Sequence, residues 1–69
     1  MPTYGQLKEV RNSTELQERL KMVVEKTGCK SRKELGRHLG TDKDGVDYLM
    51  KKHGFKNDDI GLASGVNPA

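Results

Sequence analysis

Three carboxylates set close together, Asp42, Asp44 and Asp47, are the first residues in this chain that could do chemistry. They surround Gly45 in the stretch GTDKDGVDYLMKKHG, residues 40–54. Alternating carboxylates before a glycine suit a calcium loop, where oxygens at the first, third and fifth positions and a bidentate Glu at the twelfth enclose a hard cation. With Gly45 set on the glycine position, Asp42 and Asp44 take the third and fifth places. Gly40 then falls on the first and Lys51 on the twelfth. The loop fails at both ends, and two carboxylates do not supply the six or more oxygens that calcium takes.

The soft ligands fare no better. Cys29, His38 and His53 lack the C-x-x-C or H-x-x-x-H spacing of a zinc site. Nothing near Cys29 in sequence forms a nucleophile and base pair, and no glycine-rich loop is built to cradle phosphate. The expectation is a chain without cofactor or metal that is not an enzyme. Its length points the same way: 69 residues, only 32% of them hydrophobic, must spend most of their aliphatics on one small core. Little remains to enclose a substrate cleft, so function is expected on the surface.

The same acidic stretch reads better as the start of a helix. Asp42, or Thr41 before it, is a good N-cap, and Val46, Leu49, Met50 and His53 form one inward stripe ending before Gly54. Asp44, Tyr48 and Lys51 lie opposite, flanked by Asp47 and Lys52. Upstream, "STELQERLKMVVEKTG" predicts a helix capped at Ser13 or Thr14, with Thr14 and Gln17 as a capping box and Gly28 at its end. Leu16, Leu20, Val23 and Val24 face inward there. Met22 points outward among charges, either as chance exposure or as a dimer contact.

Between them, Ser31 with Glu34 predicts a short helix closing at Gly40, with Leu35, His38 and Leu39 inward and Gly36 leaving room for a neighbouring helix. The stretch FKNDDIGLASG predicts a further short helix capped by Asn57, with Ile60 and Ala63 inward. Tyr4, Leu7 and Val10, three residues apart, suit a helical turn or a loose strand. The fold expected is all-α, a small bundle of four to five short helices. Residues 1–12 form an N-terminal arm or short helix, 13–64 the domain, and 65–69 a flexible tail.

Charge is uneven along the chain. Residues 1–40 carry nine Lys/Arg against five Glu, net +4, and residues 41–69 four Lys against five Asp, net −1, which together give the overall +3. An anionic partner should be felt first by the basic half. One cysteine makes no internal disulfide, and no apolar run has the length of a signal peptide or membrane span, so a cytoplasmic protein without membrane contact is expected.

From Ser31 the order of residues becomes specific. A small residue where one helix crosses another, a glycine that takes positive φ at the turn, and an aliphatic six places later are what a helix-turn-helix needs. Gly36, Gly40 and Val46 fill those roles in order, with Leu35, Leu39 and Leu49 as shared core. Over residues 13–53, carried by ERLKMVVEKTGCKSRKELGRHLG and TDKDGVDYLMKK, the chain resembles the helix-turn-helix domain of phage CI-type repressors and the wider lambda-repressor-like regulators.

The resemblance implies a motif over residues 31–52 whose second helix lies in the major groove of double-stranded DNA. It places Arg32 and Lys33 beside phosphate, turns Lys43, Asp44, Asp47, Tyr48 and Lys51 toward the groove, and leaves Lys52 at its flank. It further implies an operator as target, regulation of transcription as role, and a homodimer to pair half-sites. The chain departs from the family where members usually carry Ser, Thr, Gln, Asn or Arg. Asp42 serves as a cap, but Asp44 and Asp47 either repel phosphate or accept hydrogen bonds from cytosine N4. The alternative is a helix-turn-helix-derived module whose acidic third helix contacts a protein partner.

Overall fold

The computed structural model describes residues 2–62. It is all-helical, with α1 at Tyr4–Lys8, α2 at Ser13–Thr27, α3 at Arg32–Leu39 and α4 at Lys43–His53, followed by a 3₁₀ turn at Asn57–Ile60. No strand occurs among the described residues. The expected inward Ala63 and the tail at 65–69 lie outside them.

Each helix begins on a side chain that satisfies a backbone donor with no partner inside the helix. The Thr3 hydroxyl accepts from the Gln6 N–H at 3.2 Å while the Gln6 carbonyl oxygen accepts from the Thr3 N–H at 3.0 Å, which makes residues 4–8 helical rather than extended. The α2 cap is Asn12, accepting from Glu15 N–H at 2.9 Å, and not Ser13 or Thr14 as the sequence suggested. Asn is among the best N-caps, so the helix starts one residue early and both hydroxyls fall inside its first turn. Gln17 is thereby freed from the expected box, and its side-chain amide donates to the Asp59 carbonyl at 2.7 Å, tying α2 to the 3₁₀ turn.

Ser31 caps α3, accepting from Glu34 N–H at 3.2 Å. The returning bond is displaced: Glu34 Oε1 accepts from Lys30 N–H at 3.0 Å, one residue before the cap. Asp42 caps α4 through Gly45 N–H at 2.9 Å. The predicted fourth helix is shorter than expected and differently capped. Its cap position is Lys56, whose N–H donates to Asp59 Oδ2 at 2.8 Å, and four residues of 3₁₀ geometry suffice to bring Ile60 inward.

One core joins all five elements. Leu7 from α1, Leu16, Leu20, Val23 and Val24 from α2, Leu35 and Leu39 from α3, Val46, Leu49 and Met50 from α4, and Ile60 and Leu62 are buried together, with Cys29 among them. Tyr4, Val10 and Phe55 pack partly buried at its edge. The N-terminal segment therefore belongs to the same core.

One inward expectation is corrected and a second is met in part. His38 is exposed. The buried stripe of α3 is Leu35, Gly36 and Leu39, centred toward Gly36 because α4 covers that side, and His38 falls about 100° away from its middle. His53 is only half-buried; its Nδ1 lies 2.8 Å from the Ser13 hydroxyl and its ring stacks on Phe55 with centroids 5.6 Å apart.

The turn between α3 and α4 sets the relation of the two helices. Gly40 has φ +81°, in the left-handed region that a side chain resists, and this reverses the chain in three residues. The Thr41 N–H donates to Gly36 O at 2.8 Å and the Gly40 N–H to Arg37 O at 3.2 Å, which satisfies two carbonyls in the last turn of α3. The chain then passes directly over Gly36. A Cβ at that position would stand 2.7 Å from the carbonyl carbon and oxygen of Asp42. The backbone of the α4 cap thus rests on the bare face of α3.

Gly45 lies inside α4, where glycine weakens a helix, and packing gives it a reason. The Thr41 side chain folds over it, and a Cβ would meet Thr41 Oγ1.

Candidate nucleic-acid interface

Five of the residues expected at the surface site come together where the start of α3 meets the first two turns of α4. The centre of this group is an ion-pair clasp. Asp47 Oδ1 accepts from Arg32 Nη1 at 2.7 Å and Oδ2 accepts from Lys43 Nζ at 2.8 Å, so both carboxylate oxygens are engaged. Arg32 also donates through Nε to Asn57 Oδ1 at 2.6 Å. One guanidinium therefore holds α3, α4 and the 3₁₀ turn together.

This geometry changes the expected roles of Arg32 and Asp47. Sequence reading put Arg32 beside an external anion and left Asp47 to repel a phosphate or to read a base. Instead they bind each other, with side chains only 28% and 33% exposed. Lys43 stays 61% exposed while pairing with Asp47, so its ammonium remains within reach of a second anion.

The hydrogen bond from Lys43, and then that from Arg32, holds the Asp47 carboxyl below its ordinary value of 3.8, against the opposing effect of partial burial. Because the folded state binds this proton less readily than the unfolded chain, the clasp contributes its full stability above the ordinary carboxylate range. That contribution is lost as pH falls through the depressed value. Asp47→Asn should therefore be less stable than the parent chain near neutrality, with the gap closing below about pH 4. Urea melts at a series of pH values would show it; a gap that stays constant to the acid limit would mean the pairs hold nothing.

The other two carboxylates differ. Asp42 is spent on the α4 cap. Asp44 is exposed and pairs with no cation among the described residues. Around them, Lys33, Arg37, Thr41, Asp42, Lys43 and Asp44 line an open depression of about 360 Å³ between the outer face of α3 and the start of α4. A second depression of about 400 Å³ adjoins it at the start of α3, where Lys30, Lys33 and Lys43 stand around the clasp. Lys33 and Lys43 border both.

Arg37 and Lys30 were not singled out from the sequence. Arg37 had a readable signal, since it lies four residues after Lys33 on the same exposed helix face.

The remaining candidates sit toward the other end of α4. Tyr48 is 55% exposed, and Lys8 of α1 hangs between two rings, its Nζ 6.0 Å from the centroid of Tyr48 and 5.5 Å from that of Tyr4. Lys52 shares a depression of about 490 Å³ with Lys8, Arg11 and His53, away from Lys33. Lys51 is exposed on the outward strip between these groups. Nothing in the sequence linked Lys8 to Tyr48, forty positions apart.

Among the described residues no group of three or more His, Cys, Asp or Glu side chains is placed to hold a metal ion, and no helix is long and apolar enough to cross a membrane. Comparison with protein-family models, curated proteins and solved structures finds no match to this chain.

Proposed function

We propose that this chain binds double-stranded DNA as a sequence-specific transcriptional regulator of the phage or prokaryotic repressor type. In this reading the N-terminal half of α4 enters the major groove, and Lys33, Arg37 and Lys43 hold the phosphates alongside. The observation that carries it is the clasp. The acidity of α4, which argued against a polyanionic partner, is largely absorbed within the fold: Asp47 by Arg32 and Lys43, Asp42 by the helix cap. Of these three carboxylates, only Asp44 has neither a cap bond nor an ion pair among the described residues.

The tight turn at Gly40 and the seating of Asp42 on Gly36 support the same reading, since they fix α4 in close contact with α3. Rigid placement matters because base edges are read by groups fixed within hydrogen-bond reach. Asp44 is then a specificity element, accepting from cytosine N4 at one position of the site.

The test is a titration with random-sequence duplex at low and at moderate salt. Binding should be weak and should fall steeply as salt rises, because each neutralised phosphate releases a counterion. Absence of binding at both salts would remove the DNA reading and favour a protein partner for α4.

A further inference from the structure

We infer that the outer face of α2 is a self-association surface on which two copies of this chain pair in parallel, each Met22 seated beside the other. The starting point is an apolar side chain that the fold leaves in water. Met22 is 54% exposed in the middle of α2, although every other methionine or aliphatic side chain described for that helix is buried. Beside it, Pro2, Arg19, Val23 and Lys26 complete a notch of about 130 Å³.

The charges around Met22 are sorted by side. At about 100° per residue, Glu18 and Glu25 fall about 40° and 60° to one side of Met22, and Arg19 and Lys26 about 60° and 40° to the other. All four are exposed. One turn below and one turn above Met22, the face is thus acidic along one edge and basic along the other.

A two-fold axis parallel to α2 lays the acidic edge of one copy against the basic edge of the second. Glu18 meets the second copy's Arg19, Glu25 meets its Lys26, and symmetry repeats both pairs. An antiparallel pairing sets Glu18 against Glu25 and Arg19 against Lys26, so like charges face each other. The notch selects the same orientation. It lies on the basic side of Met22, and only the parallel arrangement brings both methionines over both notches at once.

One residue opposes the pairing. Glu15 lies about 20° from the stripe, two turns below Met22, where it faces its own copy. Its carboxylate is already bound by Arg19 at 3.0 Å, which offsets the repulsion. With one apolar anchor per copy the interface belongs to the small, weak class, below about 1,200 Å². Self-association is therefore expected at sub-millimolar concentration and should weaken as salt screens the flanking pairs.

Sedimentation of the full chain without DNA tests this, and because no DNA is present its outcome is independent of the proposed function. The parent should show a dimer that Met22→Lys abolishes. The pair E18K/E25K should be monomeric alone, as should R19E/K26E, while an equimolar mixture of the two should associate again. Orientation is read from Glu15→Cys: a parallel dimer brings the two thiols together and links them under mild oxidation, whereas an antiparallel one holds them about 20 Å apart. Circular dichroism checks that each variant folds. A parent chain that stays monomeric to millimolar concentration overturns the inference, and so does a dimer that survives Met22→Lys or one that Glu15→Cys fails to link.

Discussion

Gly36→Ala should melt roughly 5 to 15 °C below the parent chain, although alanine is the better helix former by about 1 kcal/mol. The added methyl would stand 2.7 Å from the carbonyl carbon and oxygen of Asp42 and 3.1 Å from its Cα. These are backbone atoms of the α4 cap, so no rotamer change relieves them. The helices must separate by several tenths of an ångström along their whole contact, and overpacking of this kind costs about 1–3 kcal/mol. Three close backbone contacts put Gly36→Ala in the upper part of that range, about 2–3 kcal/mol. After the propensity gain, a net loss near 1–2 kcal/mol remains, large for a domain whose total stability is of order 0.05–0.15 kcal/mol per residue.

The control is Gly5→Ala in α1. There the nearest atom to an added Cβ is Thr3 Oγ1 at 3.9 Å, an ordinary contact, so the same substitution should raise the melting temperature. Thermal melts of the two variants side by side decide the point. If both gain stability, α4 does not rest on Gly36 and the geometry proposed for the DNA interface goes with it.

The second large effect concerns salt. Lys33, Arg37 and Lys43 border the depression at the α3–α4 turn, and Lys33 and Lys43 border its neighbour as well. If each neutralises one phosphate, the slope of log affinity against log salt carries about −0.9 for each of the three. Between 50 and 200 mM salt those contacts alone cost the parent chain about 40-fold in affinity. The variant K33Q/R37Q/K43Q should bind far more weakly at low salt and should lack that additional 40-fold loss. Lys21→Gln, exposed on α2 and bordering neither depression, should leave the slope unchanged. A triple variant with the parental slope would show that the phosphates are held elsewhere, with Lys8, Arg11 and Lys52 as the next group to remove.

What the sequence disclosed follows from the range of the interactions involved. The turn at Gly40, the room at Gly36, the Asp42 cap and the stripe of Val46, Leu49 and Met50 are written within fifteen neighbouring residues, and each was legible. Local signals also misled where two were close to equal. Asn12, Ser13 and Thr14 all make acceptable caps, and the winner was settled by what the losers do elsewhere: Ser13 bonds to His53, far along the chain. His38 was misplaced because periodicity gives the spacing of a stripe but not its centre, which depends on the neighbour covering Gly36.

The site was half legible for the same reason. Residue types and helix faces nominated Lys33, Lys43, Asp44 and Tyr48 correctly as surface groups. No spacing rule connects Arg32 to Asp47 and Asn57, fifteen and twenty-five residues away, so that half of the clasp could not be seen; the other half, Lys43 four residues before Asp47, had a readable spacing. Lys8 reached Tyr48 through the packing of Leu7, a tertiary event with no local trace.

Burial of Cys29 beneath the core gives the chain a built-in clock. A thiol at 5% exposure is closed to alkylating reagents in the native state, since attack needs a solvent-reachable thiolate. Each modification event therefore records a moment when the end of α2 has lifted from its neighbours. The rate of that reaction counts the openings around Cys29 without any label being added, and a tightly bound partner on α3 and α4 would slow those that require these helices to part.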